Sequence, residues 1–143
     1  MATRYIVGML AAALLFGTYV FEFALVPGGA PLPGDYFQGP EALQWLKKSD
    51  NESALASNRF LETENAVRFV KKLYAAGATE VLVPDDAIVD EGDTKYADAL
   101  VVKLPEEAGR RQQVLDLCAP ELAREGASVD EIGQETQIYL WWD

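Results

Sequence analysis

Apolar positions change their rhythm repeatedly along this chain. From Tyr5 to Phe21 there is no charged residue, and Glu22 is followed by Phe-Ala-Leu-Val before Pro27. A helix from Tyr5 to Val26 would be roughly 33 Å long at 1.5 Å per residue, which matches a hydrocarbon core of ~30 Å. Tyr5 falls near one interface and Tyr19, Phe21 and Phe23 near the other, depths that aromatic side chains favour. The stretch predicts a single transmembrane anchor over residues 5–26. The competing reading is a secretory signal with Arg4 as its charged start. Of the positions ahead of a cut, Ala24 has Glu22 two places before it and Ala30 precedes a proline, both poorly suited, while Gly28 with Val26 is acceptable.

Residues 27–57 read as a Pro/Gly linker carrying a short helix over 40–48. "PGGAPLPGDYFQGP" is extended and semi-flexible by composition. Pro40 and Glu41 suit a helix start, and Lys47 and Lys48 its carboxyl end. Asn51-Glu52-Ser53 matches a glycosylation sequon, a pattern frequent by chance.

From 58 to 143 the periods of helix and strand alternate. A short strand is predicted over 58–61. A helix follows over 63–76, with Thr63 as cap, Ala66, Phe69, Val70, Leu73 and Tyr74 as its apolar stripe, and Gly77 as its stop. Strands are predicted over 79–83, 97–104 and 136–142. "PDDAIVDEGDTK" reads as a loop, and 128–132 as a partner for the last strand. A second helix starts after Pro105 with two glutamates, carries Val114, Leu115, Cys118 and Leu122 on one face, and bends or restarts at Pro120. The succession β-α-β-β-α-β predicts an α+β domain, a ferredoxin-like sandwich with two helices on one face of an antiparallel sheet. That architecture hosts many functions and identifies none.

Strand alternation sorts the side chains. Val81, Val83, Leu100, Val102, Leu104, Ile138, Leu140 and Trp142 are expected to face the helices. The other face then carries Leu82, Ala99, Val101, Lys103, Tyr139 and Trp141, which is apolar for an uncovered sheet. Leu82, Val101, Tyr139 and Trp141 are therefore the candidate partner-binding residues. Three covers are open: the helix around Leu43, Trp45 and Leu46 folded back, a second copy stacked sheet on sheet, or a ligand or other membrane protein.

Charge and missing residue types narrow the chemistry. The chain holds 12 Lys and Arg against 23 Asp and Glu, a net charge of −11, with Arg4 and Glu22 cancelling within the first 26 residues. Nucleic acid is repelled by such a surface. There is no histidine, so no imidazole base or ligand, and the single Cys118 excludes an intrachain disulfide. The densest carboxylates are Asp85, Asp86, Asp90, Glu91 and Asp93, oxygen donors of the kind Ca²⁺ takes, at a spacing that departs from the EF-hand pattern. They read first as a solvated tip that discourages edge pairing, and second as a weak divalent-ion site or acid/base pair. Arg110 and Arg111, about a turn into a helix, are a candidate anion grip. No cofactor motif is present, so none is expected.

The expected role is a membrane-tethered, non-catalytic interaction or regulatory module. Its acidic domain projects outside the cytoplasm, because Arg4 and the amino terminus hold the other end inside. Its partners would be the bilayer through residues 5–26 and a protein or a second copy through the sheet face. The alternatives are a secreted domain after cleavage, a carboxylate-based enzyme or ion-binding protein using the 85–93 loop, and a small subunit of a larger membrane complex.

Overall fold

The computed structural model describes residues 37–143. The anchor expected over 5–26, with Tyr5, Tyr19, Phe21 and Phe23, lies outside the described residues. Among the described residues no helix is long and apolar enough to cross a membrane.

The domain is mixed α+β, as the alternating periods indicate. Its helices are α1 (Ala42–Lys48), α2 (Ser57–Phe60), α3 (Thr63–Ala76) and α4 (Ala108–Arg124). Its strands are β1 (Glu80–Leu82), β2 (Ile88–Asp90), β3 (Lys95–Ala97), β4 (Ala99–Lys103) and β5 (Gln137–Trp141). A three-stranded sheet has the order β1-β4-β5, antiparallel throughout, and β2 and β3 form a separate hairpin.

Both helix starts that follow a proline use the glutamate, not the proline, as the pivot. Glu41 and Glu107 sit in extended conformation and accept two backbone N–H groups each, from Leu43 and Gln44 and from Gly109 and Arg110. Each cap satisfies donors that a helix start otherwise leaves orphaned. Thr63 does not act as the expected cap. It is the first residue of α3, and its hydroxyl donates to the Asn51 carbonyl and accepts from Ala54 N–H, tying the preceding loop to the helix. Gly77 ends α3 as expected, at φ 119°, with its N–H turned back to Leu73 and Tyr74.

The core lies between the sheet and the helices. All eight residues assigned to the inner sheet face are buried, in one cluster with Val70, Leu73, Val114 and Cys118. Ala42, Leu46, Ala54, Leu55 and Ala56 belong to the same cluster, so the 40–57 stretch is packed into the domain. Helix α1 lies against α3 and β1. It joins the helix layer and does not fold back across the outer face.

Four local expectations are corrected. The strand expected over 58–61 is instead helix α2 and its exit, because Ala56 and Leu61 take left-handed φ values of 40° and 65° and break any extended run. The 84–95 loop holds the β2–β3 hairpin, in which Ile88 pairs with Ala97 and Val89 with Tyr96. Helix α4 is continuous through Pro120, so of the bend or restart expected there the restart does not occur. The 128–132 stretch forms a 3₁₀ turn at Val129–Glu131 and does not pair with β5.

Leu61 carries a cost of its own. At φ 65° and ψ −59° it centres a three-residue turn, with Glu62 N–H donating to the Phe60 carbonyl at 2.8 Å. That is the strained form of the γ-turn, occupied by a leucine that is 68% exposed. Glycine takes this conformation without a Cβ clash. Leu61→Gly is expected to raise stability by about 1 kcal/mol, measured as a shift of the urea midpoint at unchanged slope. A lower midpoint would show that the leucine side chain makes contacts that outweigh its strain.

Candidate functional site

The outer face of the sheet is built by strand register. Leu82, Val101 and Tyr139 form one cross-strand row, and Ala99 and Trp141 form the next. Beyond them the row Glu80, Lys103, Gln137 is polar, with Lys103 Nζ 2.6 Å from the Glu80 carboxylate. The face is thus apolar at one end and ionic at the other. Leu82 is 6% exposed and Ala99 and Val101 are fully buried, yet none of them belongs to the helix-side core. Tyr139 and Trp141 are half-buried.

One cover comes from the chain just ahead of α1. Residues 37–41 run antiparallel along the outer edge of β1: Glu41 bridges Leu82, Val83 N–H donates to the Pro40 carbonyl at 2.9 Å, and Asp85 N–H to the Gln38 carbonyl at 2.8 Å. This pairing blunts the edge of the sheet. Phe37 then turns over the face, its ring 5.1 Å from that of Tyr139. Burial drives the Tyr139 phenol well above the ordinary range, and the carboxylates of Asp86 and Asp98 push the same way. Two polar atoms of β5 are buried without a hydrogen bond, Gln137 Oε1 and Trp141 Nε1. Burial raises the affinity of the Asp98 carboxyl for a proton, and its own backbone N–H and the Trp141 indole oppose this.

The other candidate residues do not converge. Asp85 and Asp86 lie in a 3₁₀ turn, Asp90 ends β2, and Glu91 and Asp93 lie in the hairpin turn. Asp90 accepts from Gly92 N–H and faces Lys95 Nζ at 3.7 Å. Among the described residues no three acidic, cysteine or histidine side chains gather closely enough to hold a metal ion. Arg110 has its stem on Gly77, and Arg111 donates to the Gly133 carbonyl at 2.8 Å. Asn51 uses its amide within the fold, donating to the Lys95 carbonyl and accepting from Ser53 N–H. Cys118 is fully buried, and burial pushes its thiol up to about 12, the chemistry of an inert core side chain.

Sequence reasoning missed a buried ionic cluster. Glu121 is 3% exposed. Arg59 holds it bidentately, Nε 2.9 Å from Oε2 and Nη2 2.6 Å from Oε1, and Trp142 Nε1 donates to Oε2 at 2.9 Å. Burial alone would raise the Glu121 pKa, but the Arg59 and Trp142 hydrogen bonds more than reverse it and hold the carboxyl below its usual value. The Arg59 guanidinium also lies over the Phe60 ring at 4.8 Å, and Phe60 meets Trp142 edge-on at 5.2 Å. The cluster closes one end of the core by joining α2, α4 and the residue after β5. The available signal was position: 121 falls on the apolar stripe of α4, three residues past Cys118, where an acid needs a partner.

Tyr74 is a second missed connector. Its hydroxyl donates to Glu41 Oε1 at 2.7 Å and accepts from Val81 N–H at 3.0 Å, tying α3, the start of α1 and β1 at one atom. Burial and the Glu41 carboxylate lift its pKa to about 12.

No family model matches the chain, and no curated protein or solved structure matches it.

Proposed function

We propose that this chain is a membrane-tethered, non-catalytic interaction module, with residues 5–26 as a single-pass anchor and the acidic α+β domain held outside the cytoplasm. The observation that carries the reading is the uncharged apolar run from Tyr5 to Phe21, which leads through a Pro/Gly stretch into the domain that begins packing at Ala42. A net charge of −11 keeps the domain off anionic headgroups and leaves the anchor as the attachment. The carboxylates of the 85–93 loop give less support to an ion-binding or enzymatic role, since Asp90 is engaged within its own turn. In fold terms the chain keeps the α-β-β-α-β part of the expected succession. A ferredoxin-like order would need another strand between β4 and β5, so their direct pairing favours a simpler three-stranded sheet under two long helices.

Alkaline carbonate extraction of membranes, followed by intact mass, tests the tether. The full-length mass retained in the pellet is the expected result. A soluble product starting near Gly29 would overturn it. Native sizing of the detergent extract separates a lone module from a subunit of a larger assembly. A rise in melting temperature at millimolar Ca²⁺ or Mg²⁺ would move the reading to the 85–93 loop.

A further inference from the structure

We propose that the outer sheet face is the docking site of the chain's own proline-rich segment, residues 27–36, which lie outside the described residues. The proposal goes beyond the tether and does not depend on whether residues 5–26 cross a bilayer. Phe37 is the first described residue, and its ring already rests on Tyr139. Successive Cα atoms are about 3.8 Å apart, so Phe37 fixes the end of the segment within reach of this face. Three strands span about 10 Å, and ten residues of polyproline-type chain reach about 31 Å. The segment is long enough to cross the face and leave.

The chemistry of both sides agrees. Pro27, Pro31 and Pro33 have no N–H to strand on an apolar surface. Leu32 and Tyr36 supply apolar contact, and backbone carbonyls supply acceptors. Opposite them stand two half-buried aromatic side chains, Tyr139 and Trp141. Aromatic-lined grooves bind extended proline-rich segments in this way. A second copy fits less well. Leu82, Ala99 and Val101 are already dry, so Tyr139 and Trp141 alone offer area, enough for a few residues of extended chain and far short of the ~800 Å² per partner that a stable interface uses.

The test places the photo-crosslinker p-benzoylphenylalanine at Tyr139 in the full-length protein, in the membrane or soluble fraction where it is found. Intramolecular crosslinks to peptides from residues 27–36 are expected. Crosslinks to a second copy, to lipid or to residues 5–26, or none at all, would overturn the docking. The tether stands or falls separately, on the fraction in which the protein is recovered. A second variant covers loss of folding at Tyr139: Leu32→Asp with Tyr36→Ser leaves the domain untouched. It should raise iodide quenching of tryptophan emission and lower Tm by about 4 °C or more. Unchanged quenching and Tm would also reject the proposal.

Discussion

Arg59→Met is expected to lower the unfolding free energy by about 3–5 kcal/mol, because it leaves the Glu121 carboxylate charged and buried without its counter-ion. The two partners are not equivalent. Glu121 has a side chain only 4% exposed, whereas that of Arg59 is 29% exposed. Removing the arginine strands a charge that water cannot reach. Removing the carboxylate strands one that water partly reaches. Glu121→Gln should therefore cost less, about 1–3 kcal/mol, since the amide oxygen still accepts from Trp142. Urea melts of both variants measure the order. A cost below about 1 kcal/mol for Arg59→Met would show that Arg124, whose Nε lies 3.8 Å from Glu121, compensates.

The pair also has a signature in pH. The folded pKa of Glu121 lies below its unfolded value. Its contribution is therefore fully present above the unfolded pKa, about 4.3, and is lost as pH falls through the lower folded value. In Arg59→Met the hydrogen bonds from arginine are gone and burial raises the pKa instead, so the variant's defect should shrink as acid protonates the carboxyl. Melts at neutral pH and near pH 4 should show the gap between wild type and variant narrowing. A gap that stays constant or widens would mean that lost packing against Phe60, not the stranded charge, sets the cost.

What the sequence made legible follows from where the determining contacts lie. The inner sheet face was readable residue by residue, since a period of two assigns every second side chain once one strand is oriented, and Val81, Leu100, Ile138 and their partners are all buried. Helices α3 and α4 were readable from their stripes and stops. The 58–61 error arises because four residues are too few to show a period, and because the left-handed φ values at Ala56 and Leu61 belong to residue types that do not announce them. Long-range polar contacts left even less trace. Tyr74 looks like one more member of an apolar stripe, and its two hydrogen bonds depend on where Glu41 and Val81 arrive in space. Glu121 is the exception, an acid on an apolar stripe that pointed to a missing partner without naming Arg59. For the outer face, the sequence exposed its apolar character and the need for a cover, while the role of Phe37 depended on the turn the chain takes beside β1.

That turn hangs on Gly39. A Cβ at this position would lie 1.9 Å from the Val83 carbonyl oxygen, 2.9 Å from its carbon and 3.0 Å from Asp85 N. All three are backbone atoms, so no side chain can swing aside. Gly39→Ala is expected to peel residues 37–41 away from β1. The hydrogen bonds of Val83 and Asp85 to that segment, the Tyr74–Glu41 bond and the Phe37–Tyr139 ring contact all depend on the same close approach. Together their loss costs about 3 kcal/mol, at roughly 1 kcal/mol or less for each. Chemical denaturation measures the total, and hydrogen exchange at the Val83 and Asp85 amides localises it. Gly109 is the control. It lies in the first turn of α4, where a Cβ would meet side-chain atoms only, the capping Glu107 carboxylate at 3.1 Å. There Gly109→Ala should change stability by no more than about 1 kcal/mol, the smaller chain entropy lost by alanine offsetting a small shift of the capping carboxylate. Equal effects of the two substitutions would mean that the edge segment is dispensable to the sheet, and that the outer face holds its cover by some route other than the approach at Gly39.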